Sequence, residues 1–127
     1  MRAGTELAAQ LGATLILVHA FHAEPVVDAN GLYLSVAERR EDARGDLDHA
    51  LSNARAILPS ATAILVEGEP AEAILGAVAQ TRADLLVMGT HGRGGLTRLL
   101  LGSVAEKVLR HSPVPVVTIS SRTASGE

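Results

Sequence analysis

The residues with the clearest capacity for chemistry lie in the last third of the chain, where an apolar run ends in a loop rich in glycine. The glycines that mark this segment are Gly89, Gly92, Gly94 and Gly102. Glycine leaves backbone N–H groups open to a ligand and adopts positive φ values without strain, so such a loop suits an anion. Ser103 opens a helical pattern, whose free N–H groups and positive dipole end favour negative charge. The spacing therefore predicts a phosphate site.

The polar side chains of this segment allow two interpretations. His91 and Arg93 lie in the loop, where they either contact the phosphates or remain solvated. Ser103 either binds phosphate or caps its helix, because Ser103 and Glu106 form the capping-box pattern. No Gly-Lys-Ser or Gly-Lys-Thr follows the glycines, so the segment is not a P-loop, and its spacing does not fit the dinucleotide fingerprint G-x-G-x-x-G.

Other reactive residues form no recognisable constellation. His19 and His22 are close in sequence, but the chain has no cysteine and no firm third ligand, so we expect no metal site. Glu67 and Asp84 lie at the ends of apolar runs, where carboxylates are usually solvated or cap a helix. The chain also lacks the Gly-x-Ser-x-Gly nucleophile elbow, and we expect no catalytic residue.

The composition indicates a single globular domain with neither nucleic acid nor membrane as a partner. The 127 residues are 47% hydrophobic, and a net charge of −3 disfavours nucleic acid and anionic lipid. Phe and Tyr occur once each and Trp is absent, so no aromatic platform is available for stacking on single strands. No apolar run approaches the length of about 20 residues that a membrane span needs. We expect a cytoplasmic protein.

The hydrophobic pattern supplies the elements that must position these residues. Continuous apolar runs, typical of strands covered on both faces, predict strands at 13–20, 61–67, 84–89 and 114–119. Helical periodicity and turn residues predict helices at 3–11, 34–58, from 70 onward and at 103–111, with a loop at 21–31. We expect Gly12 to end the first helix in the left-handed conformation and Pro70 to begin the third. The alternation predicts an α/β fold with a mostly parallel, doubly wound, Rossmann-like sheet.

The same periodicity predicts which helix faces are buried. On the first helix the expected face is Leu7, Ala8 and Leu11. On the long second helix it is Leu47, Ala50, Leu51, Ala54, Ile57 and Leu58. On the third helix it is Ala71, Ile74, Leu75 and Val78.

The glycine spacing G-x2-G-x9-G-S, formed by Gly89, Gly92, Gly102 and Ser103, resembles the motif of ATP-binding members of the universal stress protein family. Segments 15–20, 66–74 and 111–117 are similar to the same family. The resemblance implies a cytoplasmic homodimer that binds an adenine nucleotide, ATP, as a signal in stress-response regulation rather than as a fuel. It implies one domain over 1–121 with a flexible tail at 122–127.

The resemblance also assigns roles to individual residues. It implies phosphate and ribose contacts for Gly89, His91, Gly92, Gly102, Ser103 and Val104, and an adenine-side contact for Ala20. Arg93 and Gly94 complete the predicted nucleotide-binding set, and Mg²⁺ is expected to accompany ATP. The strand at 114–120 is expected to pair with its two-fold mate, since the family dimerises through this edge.

One part of the family pattern has no counterpart in this sequence. Members begin with a central strand and a loop that carries a nucleotide-binding Asp, whereas residues 1–12 already resemble the first helix. We therefore expect weakened ATP binding and a sheet that lacks its usual first strand. Our first expectation is that the family's second and fourth strands pair directly, giving the order 3-2-4-5; our second is that another chain fills the gap.

Two other functions remain open from the residues alone. One is a dimerisation or regulatory module that binds no nucleotide and keeps the glycine loop as scaffold. The other is a weak ATPase or phosphotransferase with Ser103, or a nearby hydroxyl, as the acceptor. Nucleotide titration separates the first from an ATP-binding protein, and a phosphate-release assay tests the second.

Overall fold

Strands and helices alternate along most of the chain, as the hydrophobic pattern predicts. The computed structural model describes residues 2–22, 26–27, 33–34, 36–89 and 102–120. In order, the elements are α1 (Arg2–Leu11), β1 (Ile16–Phe21), β2 (Val26–Val27), β3 (Tyr33–Leu34), α2 (Val36–Arg55), β4 (Thr62–Glu67), α3 (Pro70–Thr81), β5 (Leu86–Gly89), α4 (Ser103–His111) and β6 (Val116–Ile119).

The helix ends are set by local backbone chemistry. Gly12 has φ 64° and ends α1, and Ala13 N–H donates to the Ala8 carbonyl at 2.9 Å, so β1 begins three residues later than predicted. Pro70 is the first residue of α3, as predicted, and Glu69 is its N-cap.

Other predicted boundaries also differ from the structure: β4, β5 and β6 begin one or two residues later than predicted. The second helix begins at Val36 rather than at 34. It ends at Arg55 rather than at 58, because the N–H groups of Ile57 and Leu58 both donate to the Ala54 carbonyl. The segment 21–31 is not all loop: Phe21 completes β1, and Val26–Val27 pairs antiparallel with Tyr33–Leu34.

The parallel strands form two separate pairs among the described residues. β1 lies beside β4, with Ile16 opposite Thr62, and β5 lies beside β6, with Leu86 opposite Val116. These pairs and their connecting helices confirm the predicted α/β class with parallel strands. β1 and β5 are not paired, so the expected order 3-2-4-5 is wrong.

The helix α3 connects β4 to β5 in sequence. It packs on β1 and β4 and also against α4.

The buried core is formed mainly by alanine. The buried alanines are Ala8, Ala43, Ala54, Ala61, Ala71, Ala73, Ala77 and Ala105, and the larger buried side chains are Phe21, Leu47, Val78 and Val108. The predicted faces are only partly right, because Leu11 is 61% exposed. On α3, Ile74 and Leu75 are half-buried while Ala73 and Ala77 are buried. Within the described segments, no helix is both long and apolar enough to cross a membrane.

Candidate functional site

The N-terminus of α4 presents backbone donors to which its N-cap residue makes no side-chain hydrogen bond. Gly102 is the N-cap, with φ −65° and ψ 155°, and its carbonyl accepts the Glu106 N–H at 3.0 Å. Because glycine has no side chain, Gly102 leaves the N–H groups of the first turn without a side-chain cap of its own. The capping-box interpretation of Ser103 is therefore wrong: Ser103 is already the first helical residue, and the Glu106 carboxylate accepts from Arg110 at 2.9 Å. Uncapped N–H groups and the helix dipole together favour an anion.

Two other predicted site residues lie where parallel strands end. Ala20 is the last residue but one of β1 and Gly89 is the last residue of β5, and both are half-buried. Ligands of open α/β sheets bind beyond the carboxyl ends of the strands. Val104, the second residue of α4, is also half-buried. Four predicted site residues lie outside the described part of the chain: His91, Gly92, Arg93 and Gly94.

A charged contact that sequence reasoning missed joins α4 to the beginning of α3. Lys107 is the only lysine of the chain, and its Nζ lies 3.6 Å from Glu69 Oε2 and 3.7 Å from Glu72 Oε2. Lys107 lies one turn after Ser103, and helical spacing alone gives no sign that its partners are on another helix. The contact ties the second turn of α4 to the first turn of α3.

Glu69 also caps α3 through its own carboxylate. Its oxygens accept from the N–H groups of Glu72 at 2.8 Å and Ala71 at 3.2 Å. The bond from Glu72 is the largest cause that lowers the pKa of Glu69, and the Ala71 bond and Lys107 lower it further against a smaller opposing effect of burial. The capping carboxylate is therefore ionised near neutral pH.

A cavity of about 300 Å³ runs from the end of β4 along α3, past Glu67, Glu69 and Glu72. Glu67 also pairs with Arg40 at 2.8 Å. Three carboxylates disfavour a phosphate here, and none of the predicted nucleotide-binding residues within the described segments lines this cavity.

The candidate metal and acid–base residues do not converge. In the described segments, no group of three or more His, Asp or Glu side chains could hold a metal ion. Asp84 is exposed, and Glu67 accepts a hydrogen bond from Arg40. What the described residues offer is an uncapped helix N-terminus and two half-buried strand ends.

Comparison with known proteins gives a consistent result. The sequence model of the universal stress protein family matches residues 1–120. A universal stress protein of Thermus aquaticus is 41% identical over 109 residues, 85% of this chain and 78% of that protein. A universal stress protein of Mycobacterium tuberculosis is 37% identical over 87% of this chain, which spans only 37% of that longer protein. Among solved structures, a universal stress protein in complex with cAMP is similar over 94% of this chain and 82% of its own, with 28% identity and a TM-score of 0.67.

Proposed function

The chain belongs to the universal stress protein family, and we propose that it binds an adenine nucleotide, ATP, as a stress-response regulator. The observation that carries the proposal is the uncapped N-terminus of α4 behind Gly102, at the end of the family-type glycine spacing. The related structure with cAMP supports a nucleotide as the ligand. An adenine nucleotide supplies the anion that this helix end favours.

The proposed contacts follow from the chemistry of each position. The N–H groups of Ser103 and Val104, with Gly102 before them, bind phosphate oxygens. Ala20 and Gly89 lie at strand ends, where ligands of open α/β sheets bind. The small side chain of Ala20 and the lack of a side chain at Gly89 leave room for the adenosine. The proposed loop contacts are those of His91, Gly92, Arg93 and Gly94. ATP brings Mg²⁺ with it, coordinated by its own phosphates.

Calorimetric titration tests this proposal. We expect ATP to bind more tightly than GTP and inorganic triphosphate. No binding at millimolar ATP would contradict the proposal and favour the scaffold alternative. Steady phosphate release that depends on Ser103 would instead favour the ATPase alternative.

We further propose that the protein is a cytoplasmic homodimer joined through β6. The N–H of Leu86 donates to the Pro115 carbonyl at 3.0 Å, so the backbone groups of Pro115 face β5. In a parallel pair, the backbone groups of consecutive residues point to opposite sides of the strand. Those of Val116 and Thr118 therefore point away from β5. This leaves an apolar edge that can pair with the same edge of a second copy. In each copy we propose one domain over residues 1–121. Light scattering at micromolar concentration should give the mass of two chains.

A further inference from the structure

Lys107 lies on the same side of α4 as the backbone donors of its first turn. It is four residues after Ser103 and three after Val104, and residues at these spacings are neighbours on a helix surface. Helical side chains point back toward the N-terminus of their own helix. Four residues rise by about 6 Å along the axis, roughly the length of an extended lysine side chain. The ammonium group of Lys107 can therefore reach the N-terminus of α4.

The present partners of Lys107 hold its ammonium group loosely. Its Nζ lies 3.6 Å from Glu69 Oε2 and 3.7 Å from Glu72 Oε2, longer than the roughly 2.7–2.9 Å of a charge-assisted hydrogen bond. The side chains of Lys107 and Glu72 are 45% and 70% exposed. Exposed ion pairs contribute little to stability, because water and salt compete with them. The ammonium group is thus free to move to a stronger acceptor.

Neither carboxylate depends on Lys107 for a partner. The oxygens of Glu69 accept from the N–H groups of Ala71 at 3.2 Å and Glu72 at 2.8 Å, and the carboxylate of Glu72 is open to water. If the ammonium group moved away, neither carboxylate would be left buried and unpaired, which is the costly situation. A change of partner by Lys107 therefore has a small opposing cost.

We propose that Lys107 is a phosphate-binding residue of the nucleotide site. In the bound state its ammonium group leaves Glu69 and Glu72 and donates to a phosphate oxygen at the first turn of α4. This inference rests on the proposed function, and it adds a side-chain cation to a contact otherwise made by backbone N–H groups. Such a site distinguishes ligands by their phosphate charge, so it favours ATP over adenosine.

The side chain of Lys107 can be observed by itself, because it is the only lysine of the chain. Lysine labelled with ¹³C at Cε gives one NMR signal that needs no assignment. Titration with ATP, and separately with inorganic triphosphate, should shift this signal along the same binding curve that calorimetry gives. Adenosine has no phosphate and should leave the signal in place.

Substitutions at Lys107 test how much the contact contributes. Lys107→Gln should weaken the binding of ATP and of triphosphate by about tenfold or more, and leave the affinity for adenosine unchanged. Lys107→Arg keeps the cation and should bind ATP within about threefold of the wild type. Because the ion pairs of Lys107 are exposed, both variants should melt at nearly the temperature of the wild type.

Arg110→Gln is the matched control, because it removes the same charge from the same helix. Arg110 pairs with Glu106 at 2.9 Å and lies seven residues after Ser103, which is about 10 Å along the helix axis. At this distance salt screens most of its effect on a phosphate. Arg110→Gln should therefore bind ATP as the wild type does.

The outcomes separate this contact from the proposed function. ATP binding without a shift of the Lys107 signal would overturn the contact and leave the nucleotide function standing, even if Lys107→Gln bound more weakly, because the lysine would then only screen the two carboxylates. Equal losses in Lys107→Gln and Arg110→Gln would also overturn it. A shift and a Lys107-dependent affinity for triphosphate, with ATP bound no more tightly, would support the contact and contradict the adenine-nucleotide function. No binding of either ligand would overturn both.

Discussion

Replacing Gly102 by aspartate should separate the stability of α4 from its ability to bind phosphate. Gly102 has φ −65° and ψ 155°, an extended conformation that any residue adopts, so the substitution introduces no backbone strain. Asp is among the best N-cap residues and exceeds Gly by a few tenths of a kcal/mol. Gly102→Asp should therefore leave the melting temperature unchanged or raise it slightly.

The same substitution should abolish nucleotide binding through charge. A phosphate held by the first N–H groups of α4 would lie about 4 Å from the new carboxylate. At an effective dielectric constant of 20, two unit charges at this distance repel by about 4 kcal/mol. That repulsion corresponds to roughly a thousandfold loss of affinity, less where salt screens the site. The ATP affinity of Gly102→Asp should fall by about this factor.

Gly102→Asn is the matched control, because asparagine caps the helix equally well and has nearly the same shape but no charge. Calorimetry and ligand-observed NMR should show ATP binding for the wild type and for Gly102→Asn, and none for Gly102→Asp. Equal binding by all three would refute α4 as the phosphate site. Loss in both variants would refute the electrostatic argument, because a neutral side chain would then be as harmful as a charge.

Three other substitutions test the packing, the cap and the dimer edge. Val108 is fully buried, so Val108→Ala should lower the free energy of unfolding, measured by urea titration, by about 2 kcal/mol. The side chain of Leu109 is 40% exposed, so Leu109→Ala should lower the free energy of unfolding by roughly half as much or less. The pKa of Glu69 is lowered from 4.5, so its cap is fully formed above that pH and is lost as the pH falls through the lowered pKa. In thermal melts, the stability of Glu69→Gln should therefore depend less on acid pH than that of the wild type. An unchanged pH profile would contradict this role of Glu69. Val117→Asp should convert the proposed dimer to a monomer in light scattering, and a mass that stays at two chains would show that the interface lies elsewhere.

The elements of the fold were predictable because their signals are local. Gly12 adopts the left-handed conformation that only glycine reaches freely, and Pro70 begins α3 because its missing N–H is not needed there. The predicted helix at 103–111 is confirmed, and of the two roles left open for Ser103 the N-cap is wrong. Gly102 and Ser103 both suit an N-cap, and the capping-box spacing cannot tell which of two adjacent residues keeps the extended conformation.

Burial was harder to predict than secondary structure, because periodicity identifies a face but not how closely another element approaches it. The helix α3 packs on β1 and against α4, and Ala73 and Ala77 are buried on it while Ile74 and Leu75 stay half-buried. Small side chains let a helix lie close to its neighbours, so alanines fill the buried positions. A sequence with so few aromatic residues allows this packing but does not specify it.

Strand order was not predictable, because the signals in the sequence come from side chains and strand pairing uses the backbone. Apolar runs identified the segments that form β1, β4, β5 and β6, and β1 pairs with β4 while β5 pairs with β6. Among the described residues β1 and β5 do not pair, although pairing would add several backbone hydrogen bonds, each worth about 0.5–1.5 kcal/mol net. Every residue except proline carries the same backbone donor and acceptor, so the pattern of side chains predicts which face of a strand is buried but not which strand lies at each of its edges.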